Sequence, residues 1–202
     1  ELRDPASPIR VAVVGCGRRG LGHMDALRQF DDVSLAAVCD VAEEAVKVAA
    51  DGFRVAGRYT SLEEMLDSEA LDAVFVAAPA HLNGEVARPC LEKGINTFIE
   101  KPPGLSAAET SELRDIAART GAKAMVGWNR RFHPMIAQAR EMVEARGAVT
   151  QLVGEFHNSI TRDAASGMFP ESVLDNMLLE SPIHSIDLMR AIAGAEIAEV
   201  HS

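Results

Sequence analysis

Over the first 127 positions, apolar residues come in short unbroken runs separated by stretches with helical spacing. The runs Ile9–Val14, Leu35–Cys39, Ala73–Ala77, Thr97–Glu100 and Ala124–Gly127, with a weaker one at Arg54–Tyr59, predict six strands. Between them the pattern predicts helices over Gly20–Phe30, Ala42–Ala50, Ser61–Asp67, Leu82–Lys93 and Ser106–Thr120. Ser61 with Glu64 and Ser106 with Glu109 have capping-box spacing, and Gly94 and Gly121 stand where a left-handed residue ends a helix. Strands that are apolar throughout, without alternation, are buried on both faces, which means a parallel sheet with helices above and below. The expectation for residues 1–127 is therefore an α/β, doubly wound Rossmann domain.

The pattern changes after Gly127. Pro134–Ala145 reads as a helix, while Val149–Ser159 partly alternates and suits a strand with one covered face. A loop containing Gly167 and Pro170 follows, then a helix His184–Ala193 stopped by Gly194, and a final strand Ile197–His201. Residues 128–202 thus read as an incomplete α+β domain whose alternation suits an antiparallel sheet. Two strands and two helices are too few to close a second core. The chain is therefore expected to be cut short or to need a partner, with homo-oligomer formation through that sheet.

Composition narrows the function. The 202 residues carry 20 Lys+Arg against 30 Asp+Glu, a formal net charge of −10. That excess argues against nucleic-acid and anionic-membrane binding, since phosphate affinity rests on Lys/Arg clusters. The longest apolar run, Ala73–Ala80, is far short of a membrane span of about 18 residues, and Glu1–Pro8 is too polar for a signal peptide. Cys16, Cys39 and Cys90 are an odd count with no metal-type spacing. They read as small buried hydrophobes in a reducing compartment, hence a cytoplasmic protein.

Gly15-Cys16-Gly17-Arg18-Arg19-Gly20 follows the first strand and opens the first helix. Gly15 permits the tight turn, Gly17 lets backbone N–H groups approach a diphosphate, and Gly20 lets helix pack closely on strand. Asp40 ends the second strand 20 residues after Gly20. A carboxylate there accepts hydrogen bonds from ribose hydroxyls and repels a 2′-phosphate, which favours NAD over NADP. Arg18 and Arg19 are candidate phosphate contacts and leave NADP open. Two other readings compete: a structural glycine turn with a solvated Asp40, and an S-adenosylmethionine site.

Glu100-Lys101-Pro102-Pro103 closes the fifth strand. Ligands of open α/β sheets bind beyond the carboxyl ends of the strands, so Lys101 stands where nicotinamide and substrate would meet, its backbone biased away from helix by Pro102. Taken with the glycine turn, Asp40, Pro79, Asn129-Arg130-Arg131-Phe132-His133-Pro134 and Glu180…His184…Asp187, this order of motifs resembles the glucose-fructose oxidoreductase, inositol dehydrogenase and MocA (Gfo/Idh/MocA) family from Ile9 to Ser202. The resemblance implies an NAD(P)-dependent oxidoreductase acting on sugars, inositols or related polyols, with a mostly antiparallel open sheet in the second domain. It matches Lys101 to the lysine that hydrogen-bonds the reacting hydroxyl, and His184 to the histidine acting as general acid/base. The family pair Asp-x-x-x-His reads here as Glu180…His184, with Pro182 where Gly is frequent. Asn83 stands where a His often follows the proline matched by Pro79. These departures bear on the substrate more than on the cofactor.

A histidine with an ordinary pKa near ~6.5 can take the hydroxyl proton as hydride leaves, while a lysine ammonium stabilises the developing alkoxide. Glu180 and His184 are four apart and share a face if one helix spans both. Pro79, Glu100 and Trp128 are assigned to the cofactor; Asn129, Arg131 and Asp187 to the substrate. Trp128 and Asn129 otherwise pack at the domain junction. Arg131 either binds a substrate carboxylate or forms an interdomain salt bridge, and Asp187 can orient the His184 imidazole. His23 reads as structural, and His133 either lies near the pocket or does not. Met168, Met177 and Met189 read as core filler. Glu180, His184 and His157 form no ligand motif, so no metal is expected. The rival from another class is a catalytically silent dinucleotide-binding sensor or assembly subunit.

Overall fold

A computed structural model describes residues 7–157, 167, 171–174, 177–180 and 182–201. The chain divides into two compact units, Glu1–Gly127 and Trp128–Ser202.

In the first unit, strands β1 (Ile9–Val14), β2 (Val33–Cys39), β3 (Gly57–Tyr59), β4 (Ala73–Val76), β5 (Asn96–Ile99) and β6 (Ala124–Val126) form one sheet. All its pairings are parallel and the order is β3-β2-β1-β4-β5-β6, the doubly wound Rossmann arrangement. Helices α1 (Arg18–Leu27), α2 (Glu43–Phe53), α3 (Leu62–Ser68), α4 (Asn83–Glu92) and α5 (Ala107–Thr120) connect the strands. Element ends differ from the sequence expectation by a turn or less. Ser61 and Ser106 accept the Glu64 and Glu109 N–H groups as the capping boxes require, and Gly121 ends α5 at φ 78°.

Side chains alternate across the sheet and build a core on each face. Ala12, Val14, Val74, Val76 and Ile99 face α3, α4 and α5, with Leu91 and Ile116 packed on them. Val13 and Val38 face α1 and α2 with Met24, Val46 and Ala50. At roughly 25 cal/mol per Å² of apolar area removed from water, this two-sided burial supplies most of the unit's stability. Among the described residues no helix is long and apolar enough to cross a membrane.

Register decides what the carboxyl edge displays. Val14 pairs with Cys39 and Val76, Val76 with Ile99, and Ile99 with Val126. One more backbone bond continues each ladder past the strand ends: Gly15 N–H to Cys39 O, Ala77 to Val14, Glu100 to Val76 and Gly127 to Ile99. Gly15, Asp40, Ala77, Glu100 and Gly127 therefore stand in a single row.

The second unit contains a 3-10 turn (Asn129–Phe132), α6 (Pro134–Glu144), and the helices α7 (Glu171–Leu174), α8 (Met177–Glu180) and α9 (Ile183–Ala193). His133 caps α6, its Nδ1 accepting the Met135 N–H, and Pro134 occupies the first turn, where no N–H is needed. Two expectations fail here. Residues 149–157 and 196–201 form no strand, and residues 158–159 of the first run lie outside the described residues. Alternation marks one covered face but supplies no ladder. Val149, Leu152 and Ile197 line the flank of α9 instead of pairing as an antiparallel sheet. Glu180 and His184 also do not share a helix: α8 ends at Glu180, and α9 starts after Pro182, whose missing N–H cannot continue the helical ladder. Met177 is buried, as core filler should be, whereas Met168 lies outside the described residues.

Candidate active site at the carboxyl edge of the sheet

The glycine turn is built by contacts that leave no room for side chains. Gly15 has φ +95°, and a Cβ on it would lie 2.4 Å from the Ala77 carbonyl oxygen. A Cβ on Gly20 would lie 1.8 Å from the Gly15 oxygen, so the α1 backbone sits directly on the turn. Gly17, the N-cap of α1, faces open space, with no atom within 4 Å of where its Cβ would be. A helix N-terminus with exposed N–H groups, no acidic residue in its first turn and an open approach suits an anion. Arg18 and Arg19 flank it, both exposed. The residues present therefore fit the diphosphate of a dinucleotide.

Asp40 closes the turn from the side. Its Oδ2 accepts the Cys16 N–H at 2.7 Å and its Oδ1 the Ala42 N–H at 2.9 Å. Each oxygen keeps a second lone pair. The carboxylate thus holds turn and α2 together while retaining acceptor capacity for hydroxyl groups. Burial, with the Asp40 charge adding to it, pushes the Cys16 thiol up to about 12 and the Cys39 thiol up to about 11. Burial likewise raises Cys90 to about 12. All three are free, buried thiols, in line with the small-hydrophobe reading.

Lys101 is held through its backbone. Glu100 is buried and presents Oε2 to the Lys101 N–H at 3.2 Å. Asn83, 1% exposed at the start of α4, donates Nδ2 to the carbonyls on both sides of Lys101, Glu100 O and Pro102 O, at 3.1 Å each. The Lys101–Pro102 peptide is cis. The other carboxylate oxygen of Glu100 lies 2.8 Å from Nε2 of His23. Burial pushes the Glu100 carboxyl up. The His23 hydrogen bond and charge, the Arg19 charge and the Lys101 N–H together outweigh it and hold Glu100 below its usual 4.5. Pro79, exposed in the turn after β4, accepts the Leu82 N–H. Gly127 packs against the Phe98 ring, which a Cβ would approach to 3.0 Å.

Two residues of this edge escaped the sequence reading. His23 reads as a structural histidine, and Asn83 as a departure bearing on substrate; both belong to the frame around Lys101. The available signal for His23 is its place three residues after Gly20, on the face of α1 that meets the sheet.

In the second unit, His184 is buried on α9, with Trp128 edge-on to its ring at 6.2 Å between centroids. Asp187, one turn further and 6% exposed, is taken by Arg131: Arg131 Nε donates to Oδ2 at 2.7 Å, and Nη2 donates to Oδ1. That hydrogen bond raises the Arg131 pKa, burial opposing it and the Asp187 charge adding to it. The pair corrects one expectation: Arg131 makes its salt bridge inside its own unit, not across the junction. Asn129 is exposed in the 3-10 turn, and the Glu180 side chain lies outside the described residues. His157 is exposed beside Glu155. Among the described residues no three His, Cys, Asp or Glu side chains converge on a common point.

These features can be set beside known proteins. The Gfo/Idh/MocA family model, described as an oxidoreductase family with an NAD-binding Rossmann fold, matches residues 9–128. The chain belongs to the Gfo/Idh/MocA family. A myo-inositol 2-dehydrogenase of Thermotoga maritima is 28% identical over 195 residues, 95% of this chain and 57% of that protein. The crystal structure of a myo-inositol 2-dehydrogenase from Lactobacillus plantarum matches with TM-score 0.83 and 27% identity over 93% of this chain and 57% of that one. GenD2 from gentamicin A biosynthesis, solved with NAD, matches with TM-score 0.76 and 26% identity, covering 95% of this chain and 55% of that one. The chain thus spans little more than half the length of these relatives. As in its family, the cofactor of this Gfo/Idh/MocA domain is NAD.

Proposed function

We propose that this chain serves an NAD-dependent dehydrogenase that moves a hydride between nicotinamide and a hydroxyl-bearing carbon of an inositol, sugar or related polyol. The observation that carries the reading is the frame around Lys101. An ammonium-bearing side chain at the carboxyl end of β5 has its backbone fixed on three sides, one row from the glycine turn. Two of the three relatives compared above are named for oxidation at C2 of myo-inositol, which supports the substrate class.

Gly15, Gly17, Gly20 and the N-terminus of α1 would hold the diphosphate, with Arg18 and Arg19 beside it and Asp40 toward the ribose hydroxyls. The bound nicotinamide supplies the hydride chemistry. Lys101 binds the substrate oxygen and stabilises the negative charge that develops on it, a preorganised electrostatic role. His184 takes or returns the hydroxyl proton. Trp128 and Pro79 are assigned to the nicotinamide side, Asn129 to substrate, and Glu180 to supporting His184.

The test is absorbance at 340 nm with NAD or NADP and a panel of inositols, sugars and sugar acids. Turnover with NAD, and a loss of about 100-fold or more in kcat for Lys101→Ala, are expected from removing a developing-charge donor. Binding of NAD with no turnover across the panel, and no effect of Lys101→Ala, would instead indicate the sensor or assembly subunit.

A further inference from the structure

The proposed mechanism leaves one buried pair of titratable side chains unused, His23 with Glu100. His23 lies on α1, the helix whose N-terminus forms the diphosphate seat, and Glu100 immediately precedes Lys101. Their side chains are 23% and 11% exposed, so the contact is largely withdrawn from water. The imidazole also meets the Phe98 ring edge-on at 5.0 Å and lies 5.7 Å from Phe75; those two rings stack at 4.8 Å. Apolar packing on the ring faces and a charged acceptor at Nε2 leave His23 a single favourable orientation. Glu100 in turn divides its carboxylate, one oxygen on His23 and the other on the Lys101 N–H. An unbroken series of contacts thus runs from the glycine turn along α1 to His23, through Glu100, to the backbone of Lys101.

We propose that His23 is a positioning residue for the dehydrogenase reaction, setting the direction of Lys101 through the Glu100 carboxylate; this rests on the function proposed above. The physical reason lies in what its removal strands. A buried carboxylate that loses its donor must find another or take up a proton. Besides His23, the groups that favour the Glu100 carboxylate are the Arg19 charge and the Lys101 backbone N–H. Without His23, Glu100 turns or takes up a proton, and its hold on the Lys101 N–H loosens. The Lys101 side chain then loses its direction toward the substrate oxygen, while the glycine turn, built on Gly15, Gly20 and Ala77, keeps its shape.

Three variants of the 202-residue chain separate this from simple support of the fold. His23→Leu fills the slot against Phe75 and Phe98 without a donor. His23→Gln returns an amide N–H donor at about the reach of imidazole Nε2, and His23→Asn stops one methylene short. For His23→Leu and His23→Asn we expect kcat to fall by about 30-fold or more, with the NAD dissociation constant changed by less than about threefold. For His23→Gln we expect kcat within about fivefold of the parent. An unchanged kcat in His23→Leu, NAD affinity falling in step with kcat, or His23→Gln as poor as His23→Asn would each overturn the proposal.

Amide hydrogen exchange at Lys101, followed by NMR without substrate, gives a readout independent of turnover. Protection is expected to drop by about tenfold or more in His23→Leu and His23→Asn and to persist in His23→Gln; equal protection in all three overturns the coupling. If the parent chain turns over nothing in the panel, the dehydrogenase reading falls, and the exchange experiment still decides whether His23 governs Lys101. If His23→Leu folds poorly, the contrast of Gln with Asn carries the test.

Discussion

The two units of this chain use similar groups under different constraints. In the first, a buried carboxylate, Glu100, is shared between an imidazole and a backbone N–H at the end of a sheet whose register is locked on both sides. In the second, a buried carboxylate, Asp187, is closed by one guanidinium, and residues 149–157 and 196–201 have no ladder. A parallel sheet with helices on both faces satisfies its own backbone and buries its own apolar surface, so each strand end becomes a fixed point for a functional group. Two irregular runs along one helix have no such closure, and the side chains they carry are positioned only as well as that helix.

The comparison can be broken most sharply at glycines. Gly15→Ala puts a Cβ against the Ala77 carbonyl in a left-handed backbone, whereas Gly194→Ala, at φ 61°, meets nothing within 4 Å. Gly15→Ala is expected to destabilise the first unit by about 3 kcal/mol or more and to abolish NAD binding. Gly194→Ala should cost about 1 kcal/mol, the left-handed penalty alone. Urea unfolding and calorimetric NAD titration measure both, and equal effects would contradict the difference in packing.

The second expected effect lies in the ion pair. Arg131→Met leaves Asp187 buried without its partner, but the Arg131 side chain is 37% exposed, so solvent screening reduces the loss. About 1–2 kcal/mol is expected, confined to the second unit, with NAD affinity unchanged. A change in NAD affinity would show that the pair reaches beyond its own unit.

A smaller effect concerns acid. Because Glu100 is held below its usual 4.5 in the folded chain, its contribution is fully present above that value and is lost as pH falls through the folded pKa. The acid limb of the stability curve of the first unit should therefore flatten in Glu100→Gln, measured by thermal melts between pH 3 and pH 7. An identical limb would mean that the carboxylate is not favoured in its ionised form. The smallest effect is at the thiols. With burial holding Cys16, Cys39 and Cys90 protonated, a thiol reagent at pH 8 should label none of them in the native chain and all three in denaturant.

The sheet was legible in the sequence because its signals are local and redundant. Unbroken apolar runs, the Ser61 and Ser106 caps, the Gly121 stop and the glycine turn each state the same architecture without reference to distant residues. Gly15, Gly20, Asp40 and Lys101 were readable for the same reason, since each follows directly on a strand or opens a helix. The failures all involve partners. The alternation at 149–157 resembles a strand, yet a strand is defined by the chain it pairs with. The spacing of Glu180 and His184 suits one helix, yet Pro182 restarts it. Arg131 carried two possible partners and found a third, Asp187.

Sequence alone determined the order of strands and helices, the diphosphate turn and the lysine beyond the fifth strand, because backbone conformation and apolar period are written residue by residue. Only the tertiary structure decided that His23 and Asn83 meet around Lys101, and that Arg131 closes on Asp187. These are contacts between elements far apart in the chain, chosen by strand register and helix packing, and no local pattern encodes which buried acceptor a given donor will reach.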